Sequence, residues 1–163
     1  MLRLIPVGPA PMRLHQPHRG SNLTWHSFLL RYAGAIAALN LLWEFAQLPF
    51  YTLWRNGSVY DLVYAPLHCT LGDVFIGSLS LLAAILILGN SQWPLERYRS
   101  VAAGAVFIGL IYTCYSEWVN VYMRKSWAYS DLMPLIPALK IGLVPFLQWL
   151  IIPCAVFAYL RSD

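Results

Sequence analysis

Charged side chains are scarce along this chain, at 11% of its 163 residues against 59% that are hydrophobic, and mean hydropathy is +0.56. That balance excludes an ordinary soluble domain, in which about a quarter of residues carry charge. Cysteine is also sparse. Cys69, Cys114 and Cys154 are odd in number and show no C-x-x-C spacing, which excludes a readable disulfide framework or a dithiol redox motif and leaves them as small apolar-environment residues. No H-E-x-x-H or E-x-x-H run occurs, so no helical metal motif is present and no cofactor is expected. A basic stripe is missing as well. The net charge of +4 is spread over the ends of apolar segments, which excludes a nucleic-acid footprint and reads instead as membrane topology.

Residues 1–27 contain no acidic residue, and Pro6, Pro9, Pro11 and Pro17 interrupt them, so they read as a Pro/Arg-containing tail and not as a signal peptide. His15 and His18 in that tail read as solvated.

What remains is four apolar stretches at about 28–54, 65–89, 101–122 and 141–160, each long enough to cross a hydrocarbon core as a helix. The expected fold is all-α, a polytopic membrane protein whose residues 28–163 form a four-transmembrane-helix up-down bundle. Residues 90–100 connect the second and third spans closely enough to make them antiparallel neighbours. Arg3, Arg13, Arg19, Arg31, Arg97, Arg99 and Arg161 fall on one side of these spans, and Arg55, Arg124, Lys125 and Lys140 on the other. The excess places both termini in the cytoplasm. Gly34, Ala35, Ala37 and Ala38, with Ala102, Ala103, Gly104 and Ala105, are small residues that let helices approach closely in lipid.

Tyr51, Trp54, Tyr60 and Tyr64 in one external loop, and Tyr122, Trp127 and Tyr129 in the other, read as an interfacial aromatic belt. The second loop also carries Leu132, Met133, Leu135 and Ile136 around Pro134 and Pro137. It is too apolar for free solution and too short to span, so it is expected to lie in the interface as a lid.

Polar residues inside the spans are few and ordered. Asn40, Glu44 and Gln47 at i, i+4 and i+7 share one helix face, and Tyr112, Thr113, Ser116, Glu117 and Asn120 crowd one face of the third span. The second span supplies His68, Cys69 and Asp73, and the fourth Gln148 beside Trp149. Counting back from the outer ends at 1.5 Å per residue puts Glu44, Asp73, Glu117 and Gln148 roughly 8–12 Å below the external surface. A carboxylate in hydrocarbon costs about 2.5–3.5 kcal/mol even on the lenient insertion scale, so three in one layer point to a site. The cytoplasmic half is nearly free of polar side chains, which argues against a through-pore.

The expected site is an outer-half acidic pocket, with Glu117 and Asp73 as a proton-handling pair and Glu44 as their electrostatic partner. Carboxyl groups gathered there hinder each other's ionisation and keep at least one protonated. Asn40, Gln47, His68, Tyr112, Ser116, Trp118, Asn120, Gln148 and Trp149 are the expected ligand-binding residues. His68 is the weak candidate for a metal ligand. The competing reading of the carboxylates is interhelical hydrogen bonding that fixes helix register.

With Glu44, Asp73, Glu117-Trp118 and Gln148-Trp149-x-x-x-Pro153 on four helices joined by short loops, the chain resembles the emopamil-binding and sigma-2-receptor superfamily. The resemblance covers about residues 29–160. It implies an intramembrane pocket for a sterol-like or amine ligand, and in some members isomerisation of a double bond by proton transfer. The outline is also similar to small four-helix membrane proteins of bacteria, which implies a multi-pass protein of the inner membrane. The expected partners are membrane lipids and one lipid-like or small amphipathic molecule. Two other classes compete. A proton- or cation-handling transporter component needs a route inward that oligomerisation would have to supply, and a non-catalytic subunit or assembly factor would pair its polar stripes with a partner's helices.

Overall fold

The structure is a computed structural model that describes residues 25–162. The expected tail therefore lies outside the described residues, His15 and His18 with it, except for its last positions. Those are already helical, since α1 (Trp25–Gln47) starts ahead of the expected Phe28.

The first apolar stretch is not one helix. Pro49 has no N–H to donate and its ring crowds the preceding turn, so α1 stops at Gln47 and a 3₁₀ turn, Leu48–Phe50, follows. Tyr51 is extended, and the chain resumes as the short α2 (Leu53–Asn56). The long α3 (Val59–Leu88) begins well before the expected residue 65 because Ser58 caps it. The Ser58 Oγ accepts from the Asp61 N–H at 3.2 Å while the Asp61 carboxylate accepts from the Ser58 N–H at 2.9 Å, a reciprocal capping box. The next helix, α4 (Tyr98–Trp118), ends in a π-helical turn, Val119–Met123, and α5 (Leu143–Ser162) completes the chain.

The structure is mostly helical, and four helical segments, Trp25–Phe50, Val59–Leu88, Tyr98–Met123 and Leu143–Ser162, are long and apolar enough to cross a membrane. The all-α expectation misses one small element. In the 123–140 loop, Pro134 and Pro137 disfavour a helix, and β1 (Leu135–Ile136) pairs antiparallel with β2 (Ile141–Gly142) around a left-handed Lys140 (φ 55°).

Each long helix packs on two neighbours: α3 on α1 and α4, and α5 on the same two. The inward stripe of α1 reads Phe28, Tyr32, Ile36, Asn40, Glu44, Gln47, apolar first and polar last. On α4 it reads Val101, Ala105, Gly109, Thr113, Glu117, with the same change. On α3 the order reverses, from Thr70 and Asp73 to Leu81 and Ala84, and α5 runs from Gln148 to Val156, Phe157 and Leu160. One end of the four helices is consequently an apolar core, where Phe28 meets Trp93 edge-on at 4.9 Å and Tyr98 Oη donates to the Phe157 carbonyl at 2.6 Å. The polar half of every stripe falls at the other end.

Outward faces are apolar. Leu30, Leu71, Leu86 and Ile87 each remain more than 70% exposed, the inverse of a water-facing surface and the pattern of one that faces lipid.

Candidate functional site

At the polar end the four long helices surround a cavity of about 340 Å³. Glu44 enters from α1, Asp73 from α3 and Glu117 from α4, and each is buried. Gln148 of α5 stands at the centre. Its Nε2 lies 2.8 Å from Asn40 Oδ1, 2.9 Å from Glu44 Oε1 and 3.2 Å from Asp73 Oδ2, so one amide with two hydrogens serves three acceptors. Gln47 Nε2 donates to the same Glu44 oxygen at 2.8 Å, and Asn40 Nδ2 returns to the Ile36 carbonyl of its own helix.

Glu117 is held differently. Tyr129, beyond the end of α4, donates its hydroxyl to Glu117 Oε2 at 2.5 Å and accepts from the Gly142 N–H at 2.9 Å. The chain around Tyr129 is zipped onto the break after α1. The Thr52 N–H donates to the Ala128 carbonyl at 2.9 Å, the Ser130 N–H to the Phe50 carbonyl at 2.9 Å, and Tyr51 and Tyr129 form a β-bridge. The break caused by Pro49 thus creates the edge on which the lid-side loop rests. Burial, and after it the nearby Glu117 carboxylate, raise the Tyr129 phenol above its ordinary range. Tyr51 is raised for the same two reasons in the same order.

Of the residues expected at the site, Gln47, His68, Tyr112, Ser116, Asn120, Gln148 and Trp149 line the cavity with the three carboxylates. Asn40 is buried but reaches the site only through Gln148. Trp118 is not brought to the cavity: it is 47% exposed and absent from the lining. Successive residues on a helix point about 100° apart, so Glu117 facing inward turns its neighbour out. The pairing differs too. The hydrogen bonds group Glu44 with Asp73 around Gln148 and give Glu117 to Tyr129, where the sequence pattern pairs Glu117 with Asp73. His68 is exposed and stacks on Tyr64 at 5.5 Å. Among the described residues no three His, Cys, Asp or Glu side chains gather as a metal site, so His68 has no ligand partners for the role considered for it.

Tyr51, Trp127 and Pro145 also line the cavity, and Tyr129 holds Glu117. The first, second and last of these had an apparent explanation as belt aromatics, and no periodic signal links residues across a loop to a helix face. Two residues of the lining carry a buried polar atom with no hydrogen-bond partner in the protein, Gln47 Oε1 and Thr113 Oγ1, while the Trp127 N–H lies against the Glu117 carboxylate. One is an acceptor and the other a hydroxyl that can donate or accept. On α3 and α4 the exposed members of the lining are His68, Gly72 and Tyr112.

No family model, curated protein or solved structure matches the chain.

Proposed function

We propose that the protein is a multi-pass protein of a bacterial inner membrane, an up-down bundle with both termini in the cytoplasm, whose outer-half cavity binds a lipid-like or small amphipathic molecule. The observation that carries this reading is the convergence of three carboxyl side chains from three helices on one cavity whose lining also holds unpartnered polar atoms. Buried polar groups in a structure are normally satisfied, and unpartnered atoms on Gln47 and Thr113, two residues of one lining, favour a guest with donors and acceptors. The volume sits at the small end of ligand pockets, so the site takes a polar head and part of an apolar body. A mouth between α3 and α4 admits such a molecule from the lipid.

The chemistry proposed is acid–base and isomerase-like, and the resemblance to the emopamil-binding and sigma-2-receptor superfamily supports it. Two carboxyl groups around one amide in an apolar site favour a shared proton between Glu44 and Asp73. Delivered to one carbon of a double bond, with a second proton removed from a neighbouring position by Glu117, that proton shifts the bond with no net change in composition. Tyr129 positions Glu117 for the second step. No cofactor enters the scheme.

Mass spectrometry of molecules released from the full chain, extracted gently from its membrane, tests the binding reading. The expected result is one lipid-like or amphipathic species bound to the wild type and at least about tenfold depleted in Glu117→Gln, a loss of about 1.4 kcal/mol. Gly72→Leu separates binding from folding, because Gly72 lines the cavity and a Cβ there meets nothing within 4 Å. It is expected to melt like wild type and to lose the occupant. An occupant retained at wild-type level in both variants, or none in the wild type, overturns the proposal.

A further inference from the structure

At the end opposite the acidic cavity, α4 and α5 leave a second concavity between them, a groove of about 500 Å³. Its lining is apolar along most of its course, with Ala103 and Val106 of α4 facing Ala158 of α5. From Arg99 to Leu110, both in the lining, α4 rises about 16 Å, close to half of a hydrocarbon core about 30 Å thick. The groove is thus one leaflet long.

Both helices bring a cation to the same end of it, Arg99 and Arg161. Each is exposed, and neither forms an ion pair among the described residues. Glu96, the one acid of the preceding loop, is instead held by Asn90 Nδ2 at 2.7 Å. The Tyr98 hydroxyl at the rim is committed to the Phe157 carbonyl. Two free guanidinium groups are therefore the donors at the mouth of an apolar slot.

We infer that the α4–α5 groove is a binding site for an anionic phospholipid, its phosphate on Arg99 and Arg161 and one acyl chain along the slot. Arginine presents a planar fork that matches phosphate oxygens in pairs, and basic pockets between membrane helices hold anionic head groups. A zwitterionic lipid offers the same chains but brings its own cation against the two arginines. Free phosphate would leave the apolar slot unused. This site is separate from the acidic cavity and shares no lining residue with it.

Native mass spectrometry of the full-length protein in a neutral detergent, titrated with phosphatidylglycerol or phosphatidylcholine of identical chains, tests the inference. Each surface arginine near a membrane contributes about a factor of five to anionic-lipid affinity, so a preference of about 10–30-fold for phosphatidylglycerol is expected. Arg99→Gln combined with Arg161→Gln is expected to reduce that preference to about one. Ala103→Trp keeps both arginines and fills the slot at an exposed position, and it is expected to weaken phosphatidylglycerol binding by tenfold or more. Gly72→Leu, at the other site, should leave it unchanged. Equal binding of the two lipids by the wild type overturns the inference, as does a preference that survives the double arginine variant, phosphatidylglycerol binding undiminished by Ala103→Trp, or displacement of the lipid by inorganic phosphate.

Discussion

Tyr129 lies outside the four apolar helices, yet its hydroxyl completes the polar end of one of them. It donates to Glu117 at 2.5 Å and accepts from the Gly142 N–H at 2.9 Å, joining α4 to β2 through a single oxygen. Because burial and Glu117 raise the phenol, it stays protonated at neutral pH and remains a donor. Its contribution is complete below the ordinary tyrosine range near 10 and is lost only as pH rises through the raised value. Tyr129→Phe is expected to lower stability by about 0.5–2 kcal/mol in thermal denaturation, the cost of leaving a buried acceptor and a backbone donor unserved. Its effect should also be non-additive with Glu117→Gln, by about 0.5 kcal/mol or more in a double-mutant cycle. Strict additivity would show that the contact carries no energy. Residue spacing made part of this legible: Asn40, Glu44 and Gln47 at helical intervals share a face whatever the helix packs against. Tyr129 was not legible, because its partner is fixed by a loop folding back over the chain. An aromatic at a membrane boundary looks the same whether it faces lipid head groups or a carboxyl group.

Helices carry the next level of organisation, and their inward stripes change from apolar to polar at one height. The existence of four apolar segments could be read from hydropathy, but their ends could not. A hydropathy window does not register that Pro49 lacks a donor or that Ser58 and Asp61 satisfy each other, so α1 stops before its apolar stretch does and α3 starts ahead of its own. Close approach between helices also depends on individual glycines in ways composition does not rank. A Cβ on Gly109 would lie 2.6 Å from Trp149 Cε3, and Trp149 is both buried and part of the cavity wall. On Gly104 it would lie 2.5 Å from Leu88 Cδ1, the tip of a flexible, half-buried side chain. A rigid indole cannot turn aside as a leucine methyl can. Gly109→Ala is therefore expected to cost about 1–3 kcal/mol and to reduce cavity occupancy, while Gly104→Ala costs less than about 1 kcal/mol. Melting temperatures of the two variants compare them directly, and equal losses would mean that Trp149 yields as easily as Leu88.

For the whole molecule, the decisive asymmetry is between its two ends. Apolar side chains cover the outside over the length of the spans, so lipid contact follows from composition, but composition alone is blind to which end points outward. That choice rests on charge. Among the described residues Arg31, Arg97, Arg99 and Arg161 belong to the end with the apolar core, and Arg55, Arg124, Lys125 and Lys140 to the end with the cavity. The bias therefore comes from Arg3, Arg13 and Arg19, which precede α1 in the sequence, and positive residues are retained on the cytoplasmic side. The Arg55–Asp131 contact at 4.0 Å joins two exposed groups, and acids weigh little in orientation, so it does not alter the bias. The orientation can be read by thiol labelling in cells with the three native cysteines, all free in the structure, replaced by serine or alanine. Ser126→Cys, exposed at the cavity end, is expected to react with a membrane-impermeant maleimide in spheroplasts without permeabilisation. Ser91→Cys, exposed in the loop between α3 and α4, is expected to react only after the membrane is opened. The reverse pattern would turn the acidic cavity toward the cytoplasm. Its lateral mouth would then draw on the inner leaflet, and the Arg99–Arg161 groove would face the outer one, so this single measurement fixes which leaflet each site can sample.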